Sequence, residues 1–495
     1  MNDFLYGLTG CIVTPFEPIY SEARQGFNRA IQQYPLIIVY CRNKRDVSNA
    51  VIWSRKHCVR IRIRSGGHNY EGYSNGDCTL VIDISKMNHM RIDECTNQLY
   101  VESGVNNKQV YGYVSSKKYP FPGGTCPSVG VSGYSLGGGW GLSCRYLGLG
   151  CDSLEKIEMV NYEGAIIKAD RVNNSDLFWA CRGAGGGNFG VIVSMTFRLP
   201  QRVNKVTLIE IDYQNVSSEE QEEFLHIWQE WLRTADNRIT LISRIYNSVS
   251  DGLAMLVRGI FYGRPENAKE MMADFLALDG AEYNIEYVTF LEAVTIIGSV
   301  YPSSEKFQSV SRFALRDFNS NEISEIVGLI KKRPQGSVFA GISMYALGGR
   351  VAEVGRDDTA FFYRKAHFII WLESIWEEHR YANNNRKWIS KQFPYLKAVT
   401  TGSYVNFPYG KLPNYLEEYY GNHVKELTRI KTKYDPLNVF TFPQGIKESC
   451  HNHSETAISN LLMKDDEGII NQLDDTNYRG FRYVLKKGMY TIPFN

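Results

Sequence analysis

Three glycine clusters between residues 66 and 190 constrain this chain more than any other feature. They are Gly66 and Gly67 in RSGGHNY, the stretch PGGTCPSVGVSGYSLGGGWG at 122–141, and CRGAGGGNFGVIVSMTF at 181–197. Each alone reads as a tight turn. Together they predict a long anionic ligand wrapped by backbone N–H groups, because glycine lets the main chain come so close. In the third cluster Gly185, Gly187 and Gly190 satisfy G-x-G-x-x-G. A dinucleotide fingerprint of that form opens a helix, whereas VIVSMTF is β-branched and reads as a strand, so a Rossmann site is rejected. Two nucleophiles sit among the glycines: His68 after the first pair, and Cys126 in GGTCPSVG. Read singly, His68 is as readily an idle turn residue and Cys126 a buried inert thiol. Their occurrence as a pair favours chemistry.

From residue 35 to about 200, short β-branched runs alternate with helical stretches and glycine turns. LIIVYC, VRIRIR, TLVIDIS and QLYVESG read as strands, and 43–57 and 106–119 as helices. A second region, 204–405, has strands at 206–213 and 255–263, an amphipathic helix at 219–235, and a helix begun by Pro265. It predicts a sheet covered on one side by helices, with the other face free to roof a pocket. AHFIIWLESIW alternates as a strand that puts His367, Ile369, Trp371 and Glu373 on one face. A helix over 415–436 follows, and the polar then aromatic-basic tail after 446 is either a disordered extension or a docking strand. The class is α+β.

The 495 residues carry 55 Lys and Arg against 53 Asp and Glu, so no overall charge draws the chain to nucleic acid or an anionic membrane. A small-molecule partner is expected, and 32 Tyr and 8 Trp suit a pocket lined by flat rings. The ten cysteines show no CxxC and no Cys/His metal spacing, so free thiols and no metal are expected. No run of about 18 apolar residues and no cationic-then-apolar start is found, which places the protein in the cytoplasm.

RSGGHNYEGYS, GGTCPSVGVSGYSLGGGWG, DLFWACRGAGGGNFGVI and SYVNF…YYGNHVKELTRIKTKYDPLNVFTFPQ, in that order, resemble the berberine-bridge-enzyme-like and oligosaccharide-oxidase branch of the vanillyl-alcohol-oxidase flavoproteins. The resemblance runs from about residue 30 to 446. It implies a two-part FAD-binding domain of the PCMH type, 1–203 with 406–446, around a substrate domain at 204–405 with an antiparallel sheet backed by helices. Residues 447–495 would be an extension of unknown role. It implies FAD bonded covalently to His68 and to Cys126, and lined by Arg64, Ser65, Gly66, Gly67 and Asn69. Val129, Gly130, Gly133, Gly137, Gly138, Gly139, Gly141, Gly190, Val191 and Asn406 complete that set.

The same resemblance makes Tyr404 the general base, Tyr70 a substrate contact, and Val129 a sign that O2 is the electron acceptor, with H2O2 formed. A CH-OH group of a sugar or oligosaccharide is the implied donor; a secondary metabolite such as an antibiotic, polyketide or alkaloid is the alternative, and so is an FAD-binding protein without turnover. Two departures stand out. Trp140 replaces a tyrosine of the plant alcohol-oxidising members, and an indole N–H can only donate, so it cannot tune Tyr404 as a phenol would. The resemblance puts a polar partner of the base near Trp371, where Glu373 or His367 could serve; each is as readily a structural residue.

Overall fold

The computed structural model describes residues 4–447, so the expected extension, apart from Lys447, lies outside the described residues. Strands β1 (Cys11–Val13), β2 (Ile37–Tyr40), β3 (Ile61–Arg64) and β4 (Leu80–Asp83) form a sheet in the order β1-β2-β4-β3. β2, β4 and β3 run parallel, which requires crossovers between them. The first crossover is the helix Lys44–Lys56, started by the Asn43 side chain accepting from the Asp46 N–H. Its Val47, Ala50 and Val51 share the buried face the spacing predicts.

A second sheet, all antiparallel, has the order β5-β6-β9-β7-β8. Its strands are β5 (Met90–Asp93), β6 (Gln98–Glu102), β7 (Leu154–Val160), β8 (Ile166–Asp170) and β9 (Val191–Arg198). Because β9 leaves the G-x-G-x-x-G turn as a central strand, the exclusion of a Rossmann helix holds.

The third sheet has seven antiparallel strands: β10 (Val206–Tyr213), β11 (Ile239–Ser248), β12 (Gly252–Phe261), β13 (Glu282–Val288), β14 (Phe307–Ala314), β15 (Ser337–Ala346) and β16 (Phe368–Trp376). Their order is β13-β10-β12-β11-β15-β16-β14. Helices Ser218–Thr234, Ser320–Ile330 and Ala382–Val399 pack against it. The first two are begun by capping boxes, Ser217 with Glu220 and Asn319 with Glu322, each satisfying two orphan N–H groups. The face away from these helices lines a cavity, as the strand-helix-strand pattern predicts.

After this sheet the chain returns to the third glycine cluster. Tyr420 Oη donates to Ala184 O at 2.8 Å, and Lys431 Nζ to Asn188 O at 2.8 Å while paired with Asp435 at 2.6 Å. The helix expected over 415–436 is broken here. Helices Tyr415–Tyr420 and Val424–Tyr434 are joined by a 3-10 turn at Gly421, whose φ is +53° and whose absent Cβ would lie 2.4 Å from the Phe362 ring. One hydrophobic core runs continuously from Leu99 to Ile446, and a second surrounds the first sheet. Among the described residues no helix is long and apolar enough to cross a membrane, and no three His, Cys, Asp or Glu side chains gather as a metal site. The nine described cysteines are free thiols.

Candidate functional site

A cavity of about 910 Å³ lies among the three sheets, bordered by Ile63 of β3, Ile192 of β9 and the open face of the seven-stranded sheet. Ligand clefts commonly span about 300–1,000 Å³, so this one accepts a large ligand. The turn that follows β3 brings His68 to its wall, and the second glycine cluster brings Cys126. Both converge on one hydroxyl. His68 Nε2 lies 2.9 Å from Ser128 Oγ, and Cys126 Sγ lies 3.5 Å from the same atom. Phe27 stacks on the imidazole with ring centroids 4.4 Å apart. Enclosure by protein on that side brings the His68 pKa down to about 4, so the ring is neutral at physiological pH.

Tyr404 is 2% exposed and reaches the cavity from the segment after the helix Ala382–Val399. Ser311 of β14 fastens that segment: its Oγ accepts from Tyr404 N at 3.1 Å and donates to Phe407 O at 3.0 Å. The phenol oxygen accepts three N–H bonds, from Gly139 N at 3.0 Å, Trp140 N at 3.2 Å and Asn406 Nδ2 at 3.1 Å. These favour the phenolate, but burial outweighs them and the pKa is pushed up to about 12. The indole of Trp140 takes no part, since its Nε1 donates to Ala346 O at 2.7 Å.

The sheet supplies an aromatic wall with charged groups set into it. Tyr70 stacks on Phe407, with centroids 5.2 Å apart and planes 11° from parallel, and meets Trp371 at 5.7 Å. Trp371 and Glu373 point from β16 into the cavity, as their alternation predicts. Glu373 is 3% exposed, and burial raises its carboxyl to about 8 against the pull of Arg244, whose Nη2 stands 3.5 Å from Glu373 Oε1. Glu305 is raised to about 7, again by burial. His367 is not on this wall. It precedes β16 and faces Asp317, with Nδ1 3.2 Å from the carboxylate, because the strand's alternation begins at Phe368. Of the two expected partners for the base, Glu373 alone lines the cavity.

Several residues expected at the cofactor are held closely by neighbouring protein. Arg64, 5% exposed, turns from the cavity to Asp83, its direct cross-strand partner, with Nε donating to Oδ2 at 2.5 Å. Val191 is buried in the core around the first sheet. Gly137, Gly138, Gly139 and Gly141 do not border the cavity; their bare sides meet Asn406, Phe361, Tyr134 and Gly123 O, which a Cβ would approach within 2.0, 2.7, 2.6 and 1.9 Å. Gly66 and Gly130 border it, yet their bare sides face protein: a Cβ on Gly66 would lie 2.5 Å from Gly130 N, and one on Gly130 2.4 Å from Ser65 Oγ. Gly190 likewise presses on Met159 at 2.6 Å. Gly133 differs, with nothing within 4 Å of its Cβ position on the cavity side, and Gly186 and Gly187 meet nothing closer than 3.6 and 3.7 Å. Ser65, Gly67, Asn69, Val129 and Asn406 line the cavity. Ser128, Arg244, Tyr301, Glu305, Tyr345 and Phe407 join the site without a motif reading that singles them out, all but Ser128 on the cavity wall.

Residues 35–170 match the FAD binding domain family, and 403–447 match the berberine and berberine-like family. Fold and site together define an FAD-linked oxidoreductase. The chain is 36% identical over 447 residues to an uncharacterized FAD-linked oxidoreductase, YgaK, of Bacillus subtilis, covering 89% of this chain and 97% of that one. It is 26% identical to reticuline oxidase of Papaver somniferum, with 83% of each chain covered. In fold it is similar to BBE-like 1 of Physcomitrella patens (TM-score 0.84, 24% identity, 91% of this chain and 99% of that) and to a chitooligosaccharide oxidase (TM-score 0.82, 24% identity, 90% and 99%). The chain belongs to the berberine bridge enzyme-like family of FAD-linked oxidoreductases. The cavity fits FAD: it has the volume, two accessible nucleophiles, and open glycine backbone at Gly133, Gly186 and Gly187.

Proposed function

We propose that the protein is an FAD-dependent oxidase that oxidises a CH-OH group of a sugar or oligosaccharide, with its flavin bonded to both His68 and Cys126. The observation that carries this reading is the meeting of those two side chains at Ser128 Oγ. A neutral imidazole and a thiol, both on the cavity wall, suit a cofactor gripped at two atoms. When bound, FAD accepts a hydride from the carbinol carbon and passes the electrons to O2, giving H2O2. Val129, on the cavity wall, is the residue we associate with oxygen access. The first and third stretches, 1–203 and 406–446, form the flavin-holding part on this reading, and 204–405 the substrate part.

The side chains then divide the remaining work. Tyr404 stays protonated at neutral pH, and with its oxygen already accepting three N–H bonds its own O–H is left to donate into the cavity. It orients the substrate hydroxyl. Glu373, raised to about 8, is better matched to take the hydroxyl proton near neutral pH, since a base works best with a pKa near the working pH. Tyr70, Trp371 and Phe407 offer ring faces on which a pyranose can pack.

His68→Ala and Cys126→Ala test the tether. Each single variant should stay yellow after acid precipitation, and the double variant should release free FAD. Release from either single variant would contradict attachment at two points. Bleaching by a sugar without air, followed by peroxide when air is admitted, tests donor and acceptor; a flavin that stays bleached in air would exclude the oxidase.

A further inference from the structure

Arg244 sits in the middle of β11, directly across from Ser343 of β15, which is in turn across from Trp371 of β16. That row places its guanidinium on the aromatic wall, beside the carboxyl of Glu373 on the next cavity-facing position. Its Nε donates to Ser343 Oγ at 2.7 Å and its Cζ lies 5.4 Å from the centroid of the Phe339 ring. Among the described residues neither Nη atom makes a hydrogen bond; the closest carboxylate oxygen, on Glu373, is 3.5 Å away. A guanidinium normally spends five N–H donors on carboxylates, carbonyls or water. Here one edge is fixed to the sheet and the other faces the cavity.

We propose that Arg244 anchors a carboxylate on the substrate, so that the molecule oxidised is a sugar acid or a closely related hydroxylated carboxylic acid. The inference rests on the reading of this cavity as the place where a CH-OH donor meets the flavin. A planar, bidentate carboxylate matches the free edge of a guanidinium fixed at Nε. With one guanidinium and two carboxyls that begin to ionise near neutral pH, the corner offers at most one positive charge, which matches a monoanion rather than a phosphate dianion. The groups that face Arg244 are Glu373 on β16, Glu305 before β14, Tyr345 on β15 and Tyr301 after the helix Phe290–Ser299. Tyr301 also ties this corner to the flavin side, since its Oη lies 2.8 Å from Oγ1 of Thr125, next to Cys126. Below about pH 7 both carboxyls are protonated and the arginine charge is uncompensated; above about pH 8 both are ionised and the corner is net negative. The phenols stay neutral throughout, held up by burial.

The yellow holoenzyme is titrated with glucuronate against glucose and galacturonate against galactose, following the visible flavin spectrum. Each acid should perturb the flavin at a concentration at least about tenfold lower than its neutral sugar, the effect of one charge-assisted bidentate contact. Arg244→Gln should abolish the preference, Arg244→Lys should restore part of it, and the preference should weaken as pH rises from about 6 to 9. Equal response to acid and neutral sugar, no response to any of the four, or a preference kept in Arg244→Gln would overturn the proposal. A structural partner of Glu373 would instead weaken acid and neutral sugars alike. Acid-stable yellow colour, measured on the same preparation, separates failure of the anchor from failure of the tethered-flavin reading.

Discussion

At the scale of residues, the site is decided by how burial and hydrogen bonding compete on two acids. Three N–H donors aimed at one phenol do not overcome the desolvation of Tyr404, whereas a guanidinium at 3.5 Å leaves Glu373 raised to a range useful near neutral pH. A base must be ionised, so the rate of anaerobic flavin reduction should rise with pH through about 8, and Glu373→Gln should remove that limb and slow reduction by about 10²–10⁴-fold. A limb that survives in Glu373→Gln would assign it to another group. The same shift bears on stability. Glu373 in the folded protein holds a proton that the unfolded chain, near 4.5, gives up, so its contribution falls as pH rises from about 4.5 to 8. The melting temperature of Glu373→Gln relative to the parent should therefore increase between about pH 6 and pH 9. His68, Cys126 and Tyr404 were legible in the sequence because short motifs surround them, and Glu373 because it interrupts an alternating apolar strand. Arg244 leaves the same signal in ITLISRIYNS and could have been found by it, whereas Glu305 lies in a loop whose local sequence carries no period.

At the scale of elements, turns and strand ends do the positioning, and the glycines divide into two kinds. Most of those in GGGWG and SGGH are there because protein presses against their bare sides; Gly133, Gly186 and Gly187 leave room toward the cavity. Gly141→Ala would drive a Cβ to 1.9 Å from Gly123 O and should leave little folded protein by circular dichroism. Gly133→Leu lies within the helix Val131–Leu136 with open space beside it, so it should keep a cooperative thermal transition while lowering the flavin absorbance per protein. The parallel pair β3–β4 makes a further point. Arg64 looked like a cofactor ligand because it borders SGGH, but it is the direct neighbour of Asp83 across the sheet, and pairing register cannot be read from one strand. Asp83→Ala leaves that arginine buried and uncompensated and should cost about 3–5 kcal/mol in a urea titration. Most strands and helices with a clear period were legible. The break at Gly421 was not, because the ring that forces it, Phe362, is 59 positions away in sequence and reaches it only through tertiary packing.

At the scale of the whole molecule, the cavity gathers residues from Phe27 to Gln444, so whatever fills it ties the first sheet, the seven-stranded sheet and the returning C-terminal helices together. A non-covalent ligand stabilises by an amount that rises with the logarithm of its free concentration, whereas the stabilisation from a tethered one does not depend on it. The melting temperature of the His68→Ala/Cys126→Ala double variant should accordingly rise with added FAD, and that of the parent should not. The proposed division into a flavin part and a substrate part comes from the family resemblance; the core that runs from Leu99 to Ile446 has no counterpart in the sequence reading, because contacts between distant segments have no local signature. A flavin held at two points is checked by mass spectrometry of a protease digest of the purified yellow protein. One species is expected, in which the peptide containing His68 and the peptide containing Cys126 are joined through FAD. Recovery of either peptide free and unmodified, from protein saturated with flavin, would contradict it.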